Sequence, residues 1–144
     1  MLHYIKLLTT FFIILFTIAN LSCKDNITGP FVPEDEIIGT WQLTKIYASY
    51  TTGQQELTPE QENISFKITL NGDKTYQRNQ DYNGDVINDN GTWSLSNSNL
   101  TLSSASGSIT FLIKVNGGKL QVSTNLPDPN SGLLVPVTLE FTRQ

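Results

Sequence analysis

The sequence predicts an all-β domain: an eight-stranded antiparallel up-and-down barrel, preceded by a signal peptide and a linker. From residue 37 onward, apolar and polar residues alternate with period two, which is typical of strands with one buried face. Turn-forming Asn, Gly, Ser and Asp residues interrupt this alternation at regular spacing. Charged residues make up only 15% of the 144 residues and aromatic residues 10%, a composition that favours strands over helices.

Eight segments carry the alternation. It is clearest where Ile64, Phe66 and Ile68 fall on one face, and Asn71-Gly72 directly after this segment predicts a type I′ hairpin turn. The strands are expected at residues 37–47, 63–70, 75–82, 91–95, 100–102, 109–115, 119–124 and 135–142. Short connections imply antiparallel pairing between neighbours in sequence.

The apolar face of each strand must be buried against another element of the fold, and the sequence contains no long amphipathic helix that could bury it. Residues 50–62 could form one helical turn at most. Closing the eight strands into a barrel buries the shared face and removes both edges. A two-sheet sandwich is the alternative, and the succession of hairpins favours the barrel.

The amino-terminal 22 residues are predicted to be a signal peptide. One positive charge at Lys6 precedes an apolar stretch over residues 7–19, which is too short for a comfortable membrane span. The following Leu21-Ser22-Cys23 resembles the lipobox of bacterial lipoproteins, although Asn20 stands where Leu is typical. The resemblance implies cleavage before Cys23 and acylation of its thiol, with palmitate as a representative chain. An unmodified, unpaired thiol is the alternative.

Residues 23–36 are expected to form the lipidated Cys23 and a flexible tether, with residues 37–144 as the barrel domain. The tether contains Pro, Gly and an acidic run, Glu34-Asp35-Glu36, which is interpreted as solvated linker. The residues after Cys23, Lys24-Asp25-Asn26, resemble the short lysine-plus-acidic signal that directs lipoproteins of some Gram-negative bacteria to the outer face of the outer membrane. We therefore expect a cell outer membrane protein, anchored by lipid and exposed at the surface.

Composition excludes several function classes. The only histidine is His3, within the predicted signal peptide, and the only cysteine is Cys23. Ser-His-Asp and Cys-His catalysis, His/Cys metal sites and internal disulfides are thereby excluded for the mature chain. Loss of Lys6 leaves eight basic against 13 acidic residues, which excludes a nucleic-acid partner. We expect no catalytic residues, metal or cofactor, no enzymatic activity, and a monomer.

Two short motifs carry a family resemblance. Gly39-Thr40-Trp41 is similar to the Gly-x-Trp motif of lipocalins, and residues 91–95 (Gly-Thr-Trp-Ser-Leu) are similar to a segment of their bacterial members. Over residues 37–143 the chain resembles bacterial lipocalin-like domain lipoproteins. The resemblance implies that Trp41 closes the barrel base, that Arg143 packs over it, and that the loop after the first strand covers the mouth. A Thr-Asp-Tyr motif and a carboxy-terminal helix are absent from the sequence.

The resemblance also implies a small apolar or amphipathic ligand. The aromatic residues could line a pocket for it or fill a packed core, and both interpretations stay open. One strand carries a mixed polar and aromatic row. If this row faces inward, it provides polar groups that could anchor a ligand: Tyr76, Arg78, Gln80 and Tyr82. The candidate ligand-binding residues are Trp41, Phe66, Tyr76, Arg78, Tyr82, Trp93, Phe111 and Phe141.

Other polar residues favour ordinary roles. Residues 81–90 partly match a calcium-binding loop, but Val86 and Thr92 replace its essential Gly and Glu, so a plain turn is expected. The acids at 73, 81, 85 and 89 are expected mainly in turns, and Glu140 on the outer face, so no catalytic pair is selected. The predicted function is a non-enzymatic, lipid-anchored binding module of the bacterial envelope. The alternative is a structural or interaction lipoprotein whose packed barrel binds another macromolecule.

Overall fold

The computed structural model describes residues 31–50, 52–127 and 133–144. The predicted signal peptide (residues 1–22) and Cys23 lie outside the described residues. Within them, the single helix is one turn long and cannot cross a membrane.

Nine strands and the short helix make up the described chain. The bounds are α1 Glu34–Ile37, β1 Gly39–Tyr50, β2 Gly53–Leu57, β3 Ile64–Leu70, β4 Thr75–Tyr82, β5 Asp85–Ser96, β6 Asn99–Ser104, β7 Gly107–Asn116, β8 Lys119–Pro127 and β9 Leu134–Arg143.

All neighbouring strands pair antiparallel, and β9 returns to pair with β1. β1 and β3–β9 therefore form a closed eight-stranded barrel, which confirms the predicted all-β fold. The barrel closes within residues 31–144, so the domain needs no part of the first 30 residues to complete its sheet. One end, here called the base, carries α1 and the β3–β4, β5–β6 and β7–β8 turns. The other end, the mouth, carries the β1–β2, β4–β5, β6–β7 and β8–β9 connections.

The extra strand β2 is the largest departure from the sequence prediction. Residues 39–42 of β1 pair with β3, whereas residues 46–50 of the same edge pair with β2. β2 and β3 thus share one edge of β1 in succession. The polar sequence of β2, Gly-Gln-Gln-Glu-Leu, carries no alternation, because four of its five residues are exposed.

Two turn predictions also need correction. The loop after Asn71 is not type I′: it is a three-residue loop that ends with Lys74 at φ +69°, and Asn71 N–H bonds Thr75 at 2.9 Å. Two-residue turns with both φ angles positive are found instead at Asn83-Gly84, at +53° and +91°, and at Gly117-Gly118, at +58° and +77°. The β5 strand consequently begins at Asp85, six residues earlier than expected.

A β-bulge at Thr44 shifts the alternation of β1. The register with β9 slips between Leu43 and Lys45. The buried row therefore runs from Leu43 to Ile46 and Ala48, and Lys45 projects from the outer face.

The base is sealed by Val32, which the sequence assigned to the tether, and by Ile37, which it assigned to the first strand. Val32 and Ile37 are buried, and Val32 N–H donates to the Asn97 carbonyl in the β5–β6 turn at 3.3 Å. Glu34 of α1 forms an ion pair with Lys74. The described end of the tether is therefore folded against the barrel, because the buried Val32 side chain and the Glu34–Lys74 ion pair hold it there.

Glu140 faces outward, as predicted, but it is only 4% exposed. Its carboxylate accepts hydrogen bonds from Lys119 Nζ at 2.8 Å and Gln121 Nε2 at 3.1 Å. These contacts, and first of all the Lys119 bond, hold the pKa of Glu140 below its ordinary value of 4.5, although burial opposes the shift.

This lowered pKa predicts an acid-dependent loss of stability. The contribution of Glu140 is fully present above pH 4.5 and is lost as the pH falls through its folded-state pKa. Because Lys119 is half exposed, we expect Glu140 to contribute only about 1 kcal/mol to the free energy of unfolding. Urea unfolding at neutral pH and at about pH 3 should therefore show a steeper acid loss for the wild type than for Glu140→Gln. Equal losses in the two proteins would contradict the prediction.

Candidate functional site

The base of the barrel is built around Trp41, which is fully buried. Its indole Nε1 donates to the Ile37 carbonyl at 2.8 Å, and the Arg143 guanidinium carbon lies 4.7 Å from its ring centroid. Arg143 also donates to the Glu36 carbonyl. The expected packing of Arg143 over Trp41 at the base is confirmed.

Trp93 repeats this arrangement across the base. Its Nε1 donates to the Asn71 carbonyl at 2.9 Å, and Lys74 Nζ lies 4.1 Å from its ring. The two similar segments, residues 39–43 and 91–95, thus place a tryptophan under a cation in each case. Both tryptophans are in the packed core, so the base has a structural role.

On the β3 and β4 side of the barrel, exposure rises from the base toward the mouth along the inward-facing rows, whereas the inward row of β1 stays buried almost to the mouth. On β3, Leu70 and Ile68 are buried, whereas Phe66 and Ile64 are partly exposed. On β4, Tyr76 is buried and the three inward residues that follow are partly exposed. The barrel interior is therefore packed at the base, and in its mouth half, which we call the lumen, the inward side chains of β3 and β4 are partly accessible to solvent.

A polar cluster lies at the floor of the lumen. Arg78 and Asp89 are directly paired across β4 and β5, with Nη2 and Oδ2 3.0 Å apart. The Tyr76 hydroxyl donates to the same carboxylate oxygen at 2.7 Å. The side chains of Arg78 and Asp89 are 17% and 19% exposed, so this ion pair is mostly shielded from water.

The surroundings of the polar cluster raise the pKa of Tyr76. Burial raises the pKa of its phenol above 10.0, and the hydrogen bond to Asp89 and the negative charge of that residue raise it further. Ser104 and Arg78 act in the opposite direction, more weakly. Tyr76 therefore stays protonated and serves as a hydrogen-bond donor that orients Asp89.

The hydrogen bonding of Arg78 is incomplete. Its Nε is buried and has no hydrogen-bond partner among the described residues. A buried donor left without a partner costs free energy, and a bound molecule that accepted this N–H would remove that cost.

The rest of the lumen is divided into a polar and an apolar side. The polar side is formed by β4–β6, where Gln80, Tyr82 and Ser104 face the lumen together with the apolar Ile87. Opposite it, β8 and β9 present Leu126, Leu139 and other apolar side chains packed against the core. A molecule with one polar and one apolar side would match both walls.

Two cavities open on the outer surface. One, of about 660 Å³, lies at the mouth rim, and the other, of about 410 Å³, lies at the base beside Arg143. The rim cavity is lined by Pro59, Glu60, Asn63, Ile64, Ser65, Asp81, Asn83 and Gly84. Both open widely to solvent, and neither is lined by Arg78 or Asp89.

The predicted ligand residues fall into two groups. Trp41, Tyr76, Trp93 and Phe141 are buried in the base half. Phe66, Arg78, Tyr82 and Phe111 face the lumen and are partly exposed. Phe66 stacks edge-on against Phe141 at 5.1 Å, which joins the two groups.

Sequence reasoning missed Asp89 and Ser104. Asp89 was expected in a turn and instead faces the lumen from within β5. The signal was present in the alternation of Ile87, Asp89, Gly91 and Trp93, which continues the inward row of Trp93 toward the mouth.

Residues 81–90, which partly match a calcium-binding loop, lie in the β4–β5 hairpin. Asp81 Oδ1 accepts the Gly84 N–H at 2.8 Å, an Asx-type bond that stabilises the turn. In the described ranges no group of three or more His, Cys, Asp or Glu side chains is arranged to hold a metal ion.

A comparison with curated proteins finds no match. A comparison with family models matches residues 37–122 to the lipocalin-like domain. That region covers more than half of the chain and runs from α1 into β8. Together with the closed eight-stranded barrel and the Trp41–Arg143 contact, it shows that the chain belongs to the lipocalin-like domain family.

Proposed function

We propose that this protein is a non-enzymatic, lipid-anchored binding protein of the bacterial envelope, which holds a small amphipathic molecule in the lumen. The observation that carries the proposal is the exposure gradient. On β3 and β4, inward-facing side chains are buried at the base but partly accessible in the mouth half, where the Arg78–Asp89 pair lies. An ion pair in a barrel interior is unnecessary for packing, since apolar residues of similar size stabilise a core at least as well.

The proposed anchor fits this geometry. The described chain enters at the base, where Val32 bonds the β5–β6 turn. A lipid on Cys23, nine positions before Val32, would hold the base within about 30 Å of the membrane surface. The mouth lies at the opposite end of the barrel, so it would be directed away from the bilayer and accessible from the aqueous phase.

A second candidate function is supported by the mouth rim. Tyr50, Val86, Leu133 and Leu134 are exposed apolar side chains at this end, and Leu134 is 63% exposed. A rim of this kind could dock another macromolecule. It could equally form the entrance for an amphipathic ligand, so the test must separate lumen from rim.

Native mass spectrometry provides the first test. The protein spanning residues 24–144, which contains all described residues, is incubated with a total bacterial lipid extract and analysed for bound species. We expect one ligand of small mass per chain. A spectrum of the free protein alone would contradict lumen binding and favour docking at the rim.

A matched pair of variants locates the binding site. Ser104 faces the lumen and Ser103, its neighbour on β6, faces outward. Ser104→Phe should fill the lumen and reduce binding of the extracted ligand by at least about tenfold, whereas Ser103→Phe should leave it unchanged. Both variants must first show the thermal unfolding of a folded barrel. Equal binding by the two variants would place the ligand outside the lumen.

The anchor has its own test. The intact mass of protein extracted from membranes should exceed the mass of residues 23–144 by two or three acyl chains. An unmodified thiol at Cys23 would refute the anchor and leave the lumen proposal standing.

A further inference from the structure

Building on the proposed lumen site, we infer that the lumen selects uncharged amphipathic molecules, such as long-chain alcohols and esters, and that Asp89 is the residue that excludes carboxylates. The juxtaposition that carries this inference is the direct pairing of Arg78 with Asp89 inside the barrel. The pairing of Arg78 with Asp89 therefore indicates not only that the ligand is amphipathic but also that its head group is uncharged.

The charge balance of the lumen is the first argument. Among the described residues, the inward rows of the mouth half contain one cation, Arg78, and two anions, Asp89 and Asp85. Asp85 is paired with Tyr82 at the mouth, on the path that a ligand would take. The walls are therefore net negative before any ligand enters.

The position of Asp89 is the second argument. Its Oδ2 accepts from both Arg78 Nη2, at 3.0 Å, and the Tyr76 hydroxyl, at 2.7 Å. The guanidinium is thus already neutralised, and Tyr76 holds the carboxylate in place. A ligand carboxylate would have to displace Asp89 or lie beside it in a shielded site, and like charges at close range disfavour binding.

An uncharged head group avoids this conflict. A hydroxyl or an ester carbonyl can hydrogen-bond the amide of Gln80, the phenol of Tyr82 or the hydroxyl of Ser104, all on the polar side of the lumen. The apolar wall of β8 and β9 then faces the hydrocarbon part. Selectivity arises because the site repels the anion as well as attracting the neutral molecule.

The substitution Asp89→Asn tests the inference. Asparagine retains an oxygen that can accept from Tyr76 and Arg78 but removes the negative charge, so the guanidinium becomes available to an anion. The control is Asp81→Asn, an equal change of net charge on the outer face of β4. The probes are 1-dodecanol and dodecanoate, which share a chain length and differ in head-group charge.

Binding of each probe to residues 24–144 is measured by isothermal titration calorimetry. Wild type and Asp81→Asn should bind dodecanol at least about tenfold more tightly than dodecanoate, and Asp89→Asn should gain about tenfold or more in dodecanoate affinity. Thermal unfolding confirms that each variant is folded, and if Asp89→Asn is not, Asp89→Ser serves as the second variant.

The outcomes separate this inference from the proposed function. Wild-type protein that prefers dodecanoate, or an Asp89→Asn protein with unchanged preference, overturns the inference while the lumen site stands. An anionic species bound from the bacterial lipid extract overturns it in the same way. If neither probe nor any extracted molecule binds, the lumen site itself is refuted and the inference with it.

Discussion

Replacement of Gly91 by alanine is expected to destabilise the barrel by about 3 kcal/mol or more. A Cβ atom at this position would lie 2.0 Å from the Ser103 carbonyl oxygen and 2.9 Å from its carbon. Both atoms belong to the backbone of β6, so no side-chain rotation can relieve the clash. Relief requires β5 and β6 to move apart, which breaks the ladder that joins them.

Gly91 also lies at the junction of base and lumen. It pairs with Tyr76 on one side and with Ser104 on the other. The absence of a side chain lets β6 approach β5 where Tyr76 fills the interior. Displacement of this contact would disturb the polar cluster as well as the fold.

Gly72→Ala is the matched control. Its Cβ would meet only the Ile38 side chain, at 3.8 Å, and its φ is not positive. We expect a change between zero and a gain of about 1 kcal/mol, since alanine restricts the unfolded chain. Urea unfolding of both variants provides the measurement. Similar stabilities for the two variants would contradict the close approach of β5 and β6.

Trp41→Ala is expected to cost about 3–5 kcal/mol, the second large effect. The substitution removes a fully buried indole from the base, its hydrogen bond to Ile37 and its contact with Arg143. The cavity cannot collapse easily, because the surrounding strands are held in a closed ladder.

Smaller substitutions divide this effect into parts. Trp41→Phe keeps a ring but leaves the Ile37 carbonyl without its donor, so we expect about 1–3 kcal/mol. Arg143→Gln removes the cation and should cost about 0.5–1 kcal/mol. Chemical unfolding followed by circular dichroism tests the expected order of destabilisation, which is largest for Trp41→Ala, intermediate for Trp41→Phe and smallest for Arg143→Gln. A loss for Trp41→Ala no larger than for Arg143→Gln would show that Trp41 does not close the base.

Much of the fold was predictable because it follows from local patterns. Alternation along β3 and β4 determines which side chains face inward, and the strand bounds expected there agree with the structure to within one residue. The resemblance of Gly39-Thr40-Trp41 to the Gly-x-Trp motif also predicts the contact of Trp41 with Arg143, which the structure contains. These features depend on residue type and spacing, which the sequence contains.

The features that were missed depend on the partner strand. β2 has a polar, exposed sequence and is a strand only because the long β1 offers it an unpaired edge. The β3–β4 loop contains an Asn-Gly pair, yet the bonds of Asn71 with Thr75 and Lys74 select a three-residue loop. Strand pairing overrides the weaker local preference in both cases.

The candidate site shows the same division. The sequence identified Tyr76, Arg78 and Tyr82 as a mixed row that would be polar anchors if it faced inward. It gave no partner for Arg78, because Asp89 was assigned to a turn. The ion pair exists because the Asn83-Gly84 turn aligns β4 and β5 so that these two residues are opposite each other.

The sequence by itself determined the all-β class, the barrel, the family resemblance and the exclusion of histidine and cysteine chemistry from the mature chain. The tertiary structure alone decided that the base is packed, that inward side chains of β3 and β4 stay accessible in the mouth half, and that Arg78 is paired with Asp89 in the lumen. Alternation reports which face of a strand is buried, but not how deeply. Depth and pairing depend on which strands lie opposite each other, and barrel closure sets that arrangement.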